Sequence, residues 1–223
     1  MPCSISSRSV PLPVEFSSIV TGRSCCRIVP ITLSSAPNVT FVDAAAPNSI
    51  EAVPSITGAN TIVNSGTLEA TGSGGLVIDS NVENSGLLWA NGANIAVHGS
   101  VTGGTALMDG VASIEFGAAA STNVTFGAEA SGTLKLADSF DFSGIVSGFN
   151  QDDHIDLRDV AFRAGTAASY VENQAGTGGT LSVTDGAHTV NIALLGHYSA
   201  DDFTVAADDT IGTLLSFRDH LVI

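Results

Sequence analysis

The sequence predicts an all-β protein, a parallel β-solenoid closed by a β-rich C-terminal capping module. Three observations carry this prediction. First, Asn64-Ser65-Gly66-Thr67-Leu68-Glu69-Ala70-Thr71-Gly72 returns twenty residues later as Asn84-Ser85-Gly86-Leu87-Leu88-Trp89-Ala90-Asn91-Gly92, with six of nine residues identical. A fixed period near 20 residues marks stacked units that bury their apolar faces only against their neighbours. Second, apolar residues recur as inside–x–inside pairs such as Leu68/Ala70, Leu88/Ala90 and Leu134/Leu136, separated by Asn-Ser-Gly, Asn-Gly and Gly-Gly turns. Side chains on a strand alternate faces with period 2, so each pair is a short strand with one buried face. Third, the 223 residues include 24 Gly and only 13% charged residues, with a single Lys. Gly, Asn and β-branched residues suit turns and pleated surfaces, and the mixture is poor for helices.

Residues 1–36 are rich in Ser and Pro and hold all three cysteines, Cys3, Cys25 and Cys26. They lack any period and read as a disordered arm or a mis-called start. Pro11, Pro13 and Glu15 interrupt anything resembling the apolar stretch of a signal peptide. Residues 37–60 are expected to form a first, imperfect coil or a cap, and with residues 61–136 they make the solenoid unit. Within it the pairs Ile114/Phe116, Val124/Phe126 and Leu134/Leu136 keep a ten-residue beat. Two strands per twenty-residue coil suit a solenoid better than a sandwich. Gly66 and Gly86 fall in the turns, and Leu68 and Leu88 should stack. Asn64 and Asn84 have two readings: a stacked amide ladder, or residues occupying left-handed turn positions.

Residues 137–223 differ in composition. They hold 13 of the 22 acids and eight of the thirteen aromatic residues. The period dissolves there, and the bulkier side chains predict an acidic, β-rich terminal module with its own core. Strands are expected near 143–149, 154–157, 168–173, 179–184, 188–194 and 203–206. Ser199 is expected to cap a short helical turn.

Composition also bounds function. A net charge of −15 argues against nucleic-acid binding, which needs Lys and Arg against phosphates, and against docking on anionic lipid. No run of about 18 uninterrupted apolar residues provides a transmembrane helix, so membrane insertion is not expected. Residues 27–223 contain no Cys, which leaves no thiolate chemistry there.

The repeats Asn64–Ala70 and Asn84–Ala90, with Phe142-Ser143-Gly144-Ile145-Val146-Ser147-Gly148-Phe149, Asp153-His154-Ile155-Asp156-Leu157 and Ala193-Leu194-Leu195-Gly196, resemble regions of large bacterial surface and secreted proteins. These are autotransporter-like passenger regions and type I-secreted adhesins. The Asp-x-Ile-Asp-Leu element is also similar to the segment capping the calcium β-roll of repeats-in-toxin proteins. The resemblance spans about residues 60–215 and implies secretion, a β-helical stalk and an extracellular or cell-surface location. It departs in two respects. The calcium-binding nonapeptide with its Gly-x-Asp ligands does not occur, and the 87 residues after the repeats are too few for a complete membrane barrel.

Candidate chemistry is sparse. Asp152, Asp153, Asp156 and Asp159 form the densest acidic group. Asp152, Asp153 and Asp156 are the candidate Ca²⁺ ligands, against the reading that they are solvated acids and turn caps. Asp201, Asp202, Asp208 and Asp209 form two acidic pairs that read as turn acids rather than a glycosidase pair. His98, His154, His188, His197 and His220 show no zinc spacing. Trp89, placed between Leu88 and Ala90, should point outward. No catalytic constellation and no cofactor site other than the calcium candidate is found.

The sequence therefore leads to a non-enzymatic, secreted or cell-surface structural and adhesive module, whose expected partner is a host or matrix surface or a polysaccharide. Two alternatives follow from the acids. One is a calcium-dependent secreted protein of the repeats-in-toxin kind. The other is a polysaccharide-active β-helix enzyme, which would need acids gathered on one solenoid face with basic or aromatic companions.

Overall fold

The computed structural model describes residues 61–218 and three earlier strands, β1 (Ile19–Thr21), β2 (Asn38–Val42) and β3 (Ser55–Thr57). Alternation of apolar and polar residues produces the first complete coil: β4 (Ile62–Asn64), β5 (Thr67–Thr71) and β6 (Leu76–Asp79). Tight turns at Asn-Ser-Gly and Gly-Ser-Gly-Gly separate its three sides. The second coil repeats it as β7 (Val82–Asn84), β8 (Leu87–Asn91) and β9 (Asn94–Val97). The third has β10 (Val101–Thr102), β11 (Thr105–Asp109) and β12 (Val111–Phe116). In the fourth, the first side shrinks to a bridge at Ala120, followed by β13 (Asn123–Phe126) and β14 (Ser131–Leu136). The fifth follows a 3₁₀ turn at Ser139–Asp141, bridges through Phe142, and carries β15 (Ile145–Ser147) and β16 (His154–Leu157).

Each side pairs with its counterpart one coil away, in parallel, so the protein is a parallel β-solenoid of about five turns. Leu68 pairs with Leu88, and Leu88 with Ala106. Three walls result: a narrow wall of β4, β7 and β10, and two wide walls continued by later strands. Inside run columns of apolar side chains. Leu76, Ile95, Ile114, Leu134 and Ile155 form one, and Ile78, Val97, Phe116, Leu136 and Leu157 another. All ten are essentially excluded from water. Burying each such side chain contributes roughly 1.5–3 kcal/mol, which lets thin coils hold together without a globular core.

The parallel winding passes the expected boundary at residue 136 and ends at Leu157, with Leu134 paired to Ile155 and Val124 to Val146. The apparent loss of period has a simple cause. Successive residues on the narrow wall lie 19 apart at Val101 and Ala120, but 22 apart at Ala120 and Phe142. The coil persists while its turns lengthen.

Beyond it the chain reverses. β17 (Ala167–Glu172), β18 (Gly178–Thr184) and β19 (Thr189–Leu195) form an antiparallel meander whose last strand joins β15 in parallel. A capped turn with a reciprocal Ser199–Asp202 box precedes the hairpin of β20 (Phe203–Ala207) and β21 (Thr213–Phe217). β21 lies antiparallel on β16. All six strands and the Ser199 cap expected in this segment are present. Tyr170, Tyr198, Phe149, Phe203 and Phe217 pack together across the last coil, with ring centroids 5.6–6.4 Å apart. They cover the end of the apolar columns, which would otherwise lie open to water.

Of residues 1–36, only Ile19–Thr21 is described, as a strand parallel to β2; the expected disorder of the rest lies outside the described residues. In residues 37–60, β2 pairs with β5 and β3 with β6, which continues two walls by one partial coil. Among the described residues no helix is long and apolar enough to cross a membrane.

Candidate functional site

The period that stacks apolar residues inside also stacks polar ones, because equivalent positions fall in register one coil apart. Asn64 Nδ2 donates to Asn84 Oδ1 at 2.8 Å and to the Leu87 carbonyl at 3.0 Å. Asn84 Nδ2 donates in turn to the Thr105 carbonyl at 3.1 Å. Each amide oxygen also receives the N–H of the glycine two residues on, Gly66 or Gly86. Of the two readings of these residues, the amide ladder is formed.

The outer face of the wide wall holding β5, β8 and β11 behaves similarly. Asn91 Nδ2 donates to Glu69 Oε1 at 2.9 Å, and Trp89 Nε1 to Asp109 Oδ2 at 2.8 Å. Trp89 is half-buried between its register partners Glu69 and Leu107. His98 contacts Asp79 at 2.6 Å at the next corner.

The acidic group before and within β16 divides by direction. Asp153 points inward and is fully buried; its Oδ1 accepts the Gly132 N–H at 2.8 Å and its Oδ2 the Asn150 N–H at 3.0 Å. Burial raises its pKa above the usual carboxylate value even so. Asp159 does the same for Ser139, accepting its N–H at 2.8 Å and its hydroxyl at 2.6 Å. Asp152 stands exposed at the turn, its N–H donating to Asn150 Oδ1. Asp156 leaves the opposite side of the strand from Asp153, as alternation requires. The expected calcium set Asp152, Asp153 and Asp156 is therefore not brought around one point. Among the described residues no three His, Cys, Asp or Glu side chains form a group able to hold a metal ion.

Asp156 instead joins a charged cluster on the outer face of the other wide wall. In register there lie Glu115 on β12, Lys135 on β14 and Asp156 on β16. Arg158 reaches back over them, with Nη1 2.7 Å from Glu115 Oε1 and Nε 3.5 Å from Asp156 Oδ2. From the cap, the turn between β20 and β21 lies against Leu157 and Arg158 and brings up Asp208. Its carboxylate accepts the Thr210 N–H and hydroxyl at 2.7 Å and the Gly212 N–H at 2.8 Å. Asp208 lies close enough to Asp156 for each carboxyl to influence the other's ionisation. Asp156 Oδ1 is buried and meets no N–H or O–H donor.

The two acids respond oppositely. Burial raises Asp156, as does the neighbouring Asp208 charge, against the lowering effects of Arg158 and Lys135. Asp208 is also pushed up by burial, but hydrogen bonds from Thr210, Gly212 and Asp156 outweigh this and leave it lowered.

In the sequence the acids around Asp156 and those around Asp208 form separate groups. The signal was present in the period: Glu115, Lys135 and Asp156 lie 20 and 21 residues apart, in the same column. Chemically the cluster is closed. Two-carboxylate glycoside hydrolysis places its acids roughly 5–9.5 Å apart across an open cleft, whereas Asp156 is buried beside Arg158. The other members of the acidic pairs act in turns or lie exposed: Asp202 Oδ2 accepts the Ser199 N–H at 2.6 Å, and Asp201 and Asp209 are exposed. His154 is half-buried, His188 and His197 are exposed, and His220 lies outside the described residues. No protein-family model, curated protein or solved structure matches the chain.

Proposed function

We propose that the protein is a non-enzymatic structural and adhesive module of a secreted or cell-surface protein, a capped rod that presents its outer walls to a matrix or polysaccharide surface. One observation carries this reading. Polar side chains are committed to bonds between neighbouring coils: Asn64 to Asn84, Asn91 to Glu69, Trp89 to Asp109, Asp153 to Gly132 and Asp159 to Ser139. Groups held this way stiffen a stack and are poorly placed to exchange protons or ligands with a substrate. The low charge density, the Ser-, Thr- and Asn-rich surface and the resemblance to adhesin stalks support the same reading. Contact with a surface is assigned to the wall bearing Trp89 and Leu107, where an indole fixed by Asp109 offers a flat apolar face amid polar neighbours.

The test is a binding and turnover assay of the purified chain on immobilised plant, algal and bacterial polysaccharides and on extracellular matrix. Retention on a surface that is weakened at least tenfold by Trp89→Ala, with no release of oligosaccharide, is the expected result. Depolymerisation that disappears on substituting Asp156 or Asp208 would overturn the reading in favour of an enzyme.

A further inference from the structure

Asp156 and Asp208 come from two parts of the fold that also meet along β16–β21 and β15–β19 and through the aromatic cluster. Asp156 belongs to the last parallel coil. Asp208 belongs to the hairpin turn at residues 208–212, in the part of the chain that closes the rod. That turn is fitted closely to the coil. A Cβ on Gly212 would lie 2.6 Å from the Leu157 carbonyl and 2.8 Å from Arg158 Cα. Ile211 O accepts the Phe162 N–H at 3.1 Å, and Thr213 Oγ1 donates to the Val160 carbonyl at 2.7 Å. The carboxyl of Asp156 is nine-tenths buried against this turn, with Oδ1 lacking a donor.

We propose that a single proton shared by Asp156 and Asp208 latches the terminal hairpin to the last coil, so that closure of the rod's end depends on pH. With the proton in place, one carboxyl donates to the other and the buried Oδ1 is no longer orphaned. When it leaves, the buried Asp156 carboxylate faces the charge of Asp208.

The surrounding charges set the balance. Lys135 on β14 and Arg158 after β16 favour the ionised form of Asp156, and Glu115 on β12 takes up much of the Arg158 guanidinium at 2.7 Å. On the hairpin side Asp208 acts on Asp156, and Asp209 beside it is exposed. His154, two residues back, is the other ionisable side chain on β16.

The direction of the effect follows from linkage. Asp156 holds its proton more tightly in the closed state than an open carboxyl does. Stability from this group is complete below the ordinary carboxylate value and is lost as pH rises through the closed-state value. Between those limits the opening constant of the hairpin should rise by up to about tenfold per pH unit, then level off.

Hydrogen–deuterium exchange of the β20–β21 amides, corrected for intrinsic exchange, measures this opening constant from pH 4 to 8. The unmodified chain should show protection in β20–β21 falling with pH, while β8 and β12 keep theirs. Asp156→Asn supplies a permanent N–H donor toward Asp208 and should make protection independent of pH. Asp208→Asn supplies the donor from the other side, keeps an amide oxygen for Thr210 and Gly212, and should flatten the curve as well. His154→Gln should leave the slope unchanged. The proposal is overturned if both Asp variants keep the wild-type slope, or if His154→Gln abolishes it.

Discussion

Asn64 and Asn84 lie twenty residues apart in the chain and 2.8 Å apart through their side-chain amides, each also serving the backbone of a neighbouring turn. A buried amide in a coil this thin is stabilising only when all its groups find partners, and the next coil provides them. Replacing Asn84 by Ala removes the acceptor for Asn64 and the donor to Thr105 together. A loss of about 1–3 kcal/mol is expected, read as a lower midpoint in urea with unchanged slope.

Leu88 is fully buried between Leu68 and Ala106. Leu88→Ala should therefore cost about 2–5 kcal/mol, since its neighbours are held in register by strand pairing and cannot collapse into the space. The same exchange at the half-buried, outward-facing Leu87 should cost well under half as much, and equilibrium unfolding of the pair checks the difference.

Gly86 stacks on Gly66 so closely that an added Cβ would strike the Gly66 carbonyl oxygen. Gly86→Ala should destabilise by more than about 1 kcal/mol although the position is only half-buried, because backbone must shift. Comparison with Gly92→Ala separates two mechanisms. There no atom lies within reach of a Cβ, and the cost should come from the positive φ alone.

The only two tyrosines, Tyr170 and Tyr198, both lie in the aromatic cap. Burial pushes the Tyr198 phenol up to about 12, aided by Tyr170 and the Asp153 charge, while its O–H donates to the Phe149 carbonyl at 3.0 Å. Burial also raises Tyr170. A raised phenol contributes stability below the ordinary value of 10, and this is lost as pH climbs from 10 toward 12. Titration of phenolate absorbance should find no group ionising at 10 in the folded chain, and Tyr198→Phe should remove the later step. A full-amplitude step at 10 without unfolding would contradict this closure.

Calcium is a separate matter. Asp153 and Asp159 already face N–H groups, where a cation would be repelled, and Asp156 lies beside Arg158 and Lys135. The thermal midpoint should be the same in millimolar calcium and in chelator. A rise of several degrees with calcium, lost in Asp152→Asn, would support the calcium-dependent reading instead.

Much of the scaffold was legible from residues, and the reason is physical. Stacked coils impose their period on the residues themselves, so Leu68 and Leu88, or Asn64 and Asn84, advertise their contacts. The strand expected near 179–184 is found as β18, one residue longer. The end of the winding was not, because the turn from Ala120 to Phe142 lengthens while the inward residues of β15 and β16 keep their places. The Asp156–Asp208 contact was hidden for a different reason. It arises from a chain reversal that places a hairpin turn against the fifth coil, and no periodicity connects those residues.

The most direct test of the solenoid is methyl–methyl nuclear Overhauser spectroscopy with labelled leucine. The stacked coils predict a strong cross-peak between Leu68 and Leu88, together with the circular dichroism of β-structure. Absence of that cross-peak in a folded, well-dispersed spectrum, or its presence only between Leu68 and residues outside the neighbouring coils, would contradict the parallel winding.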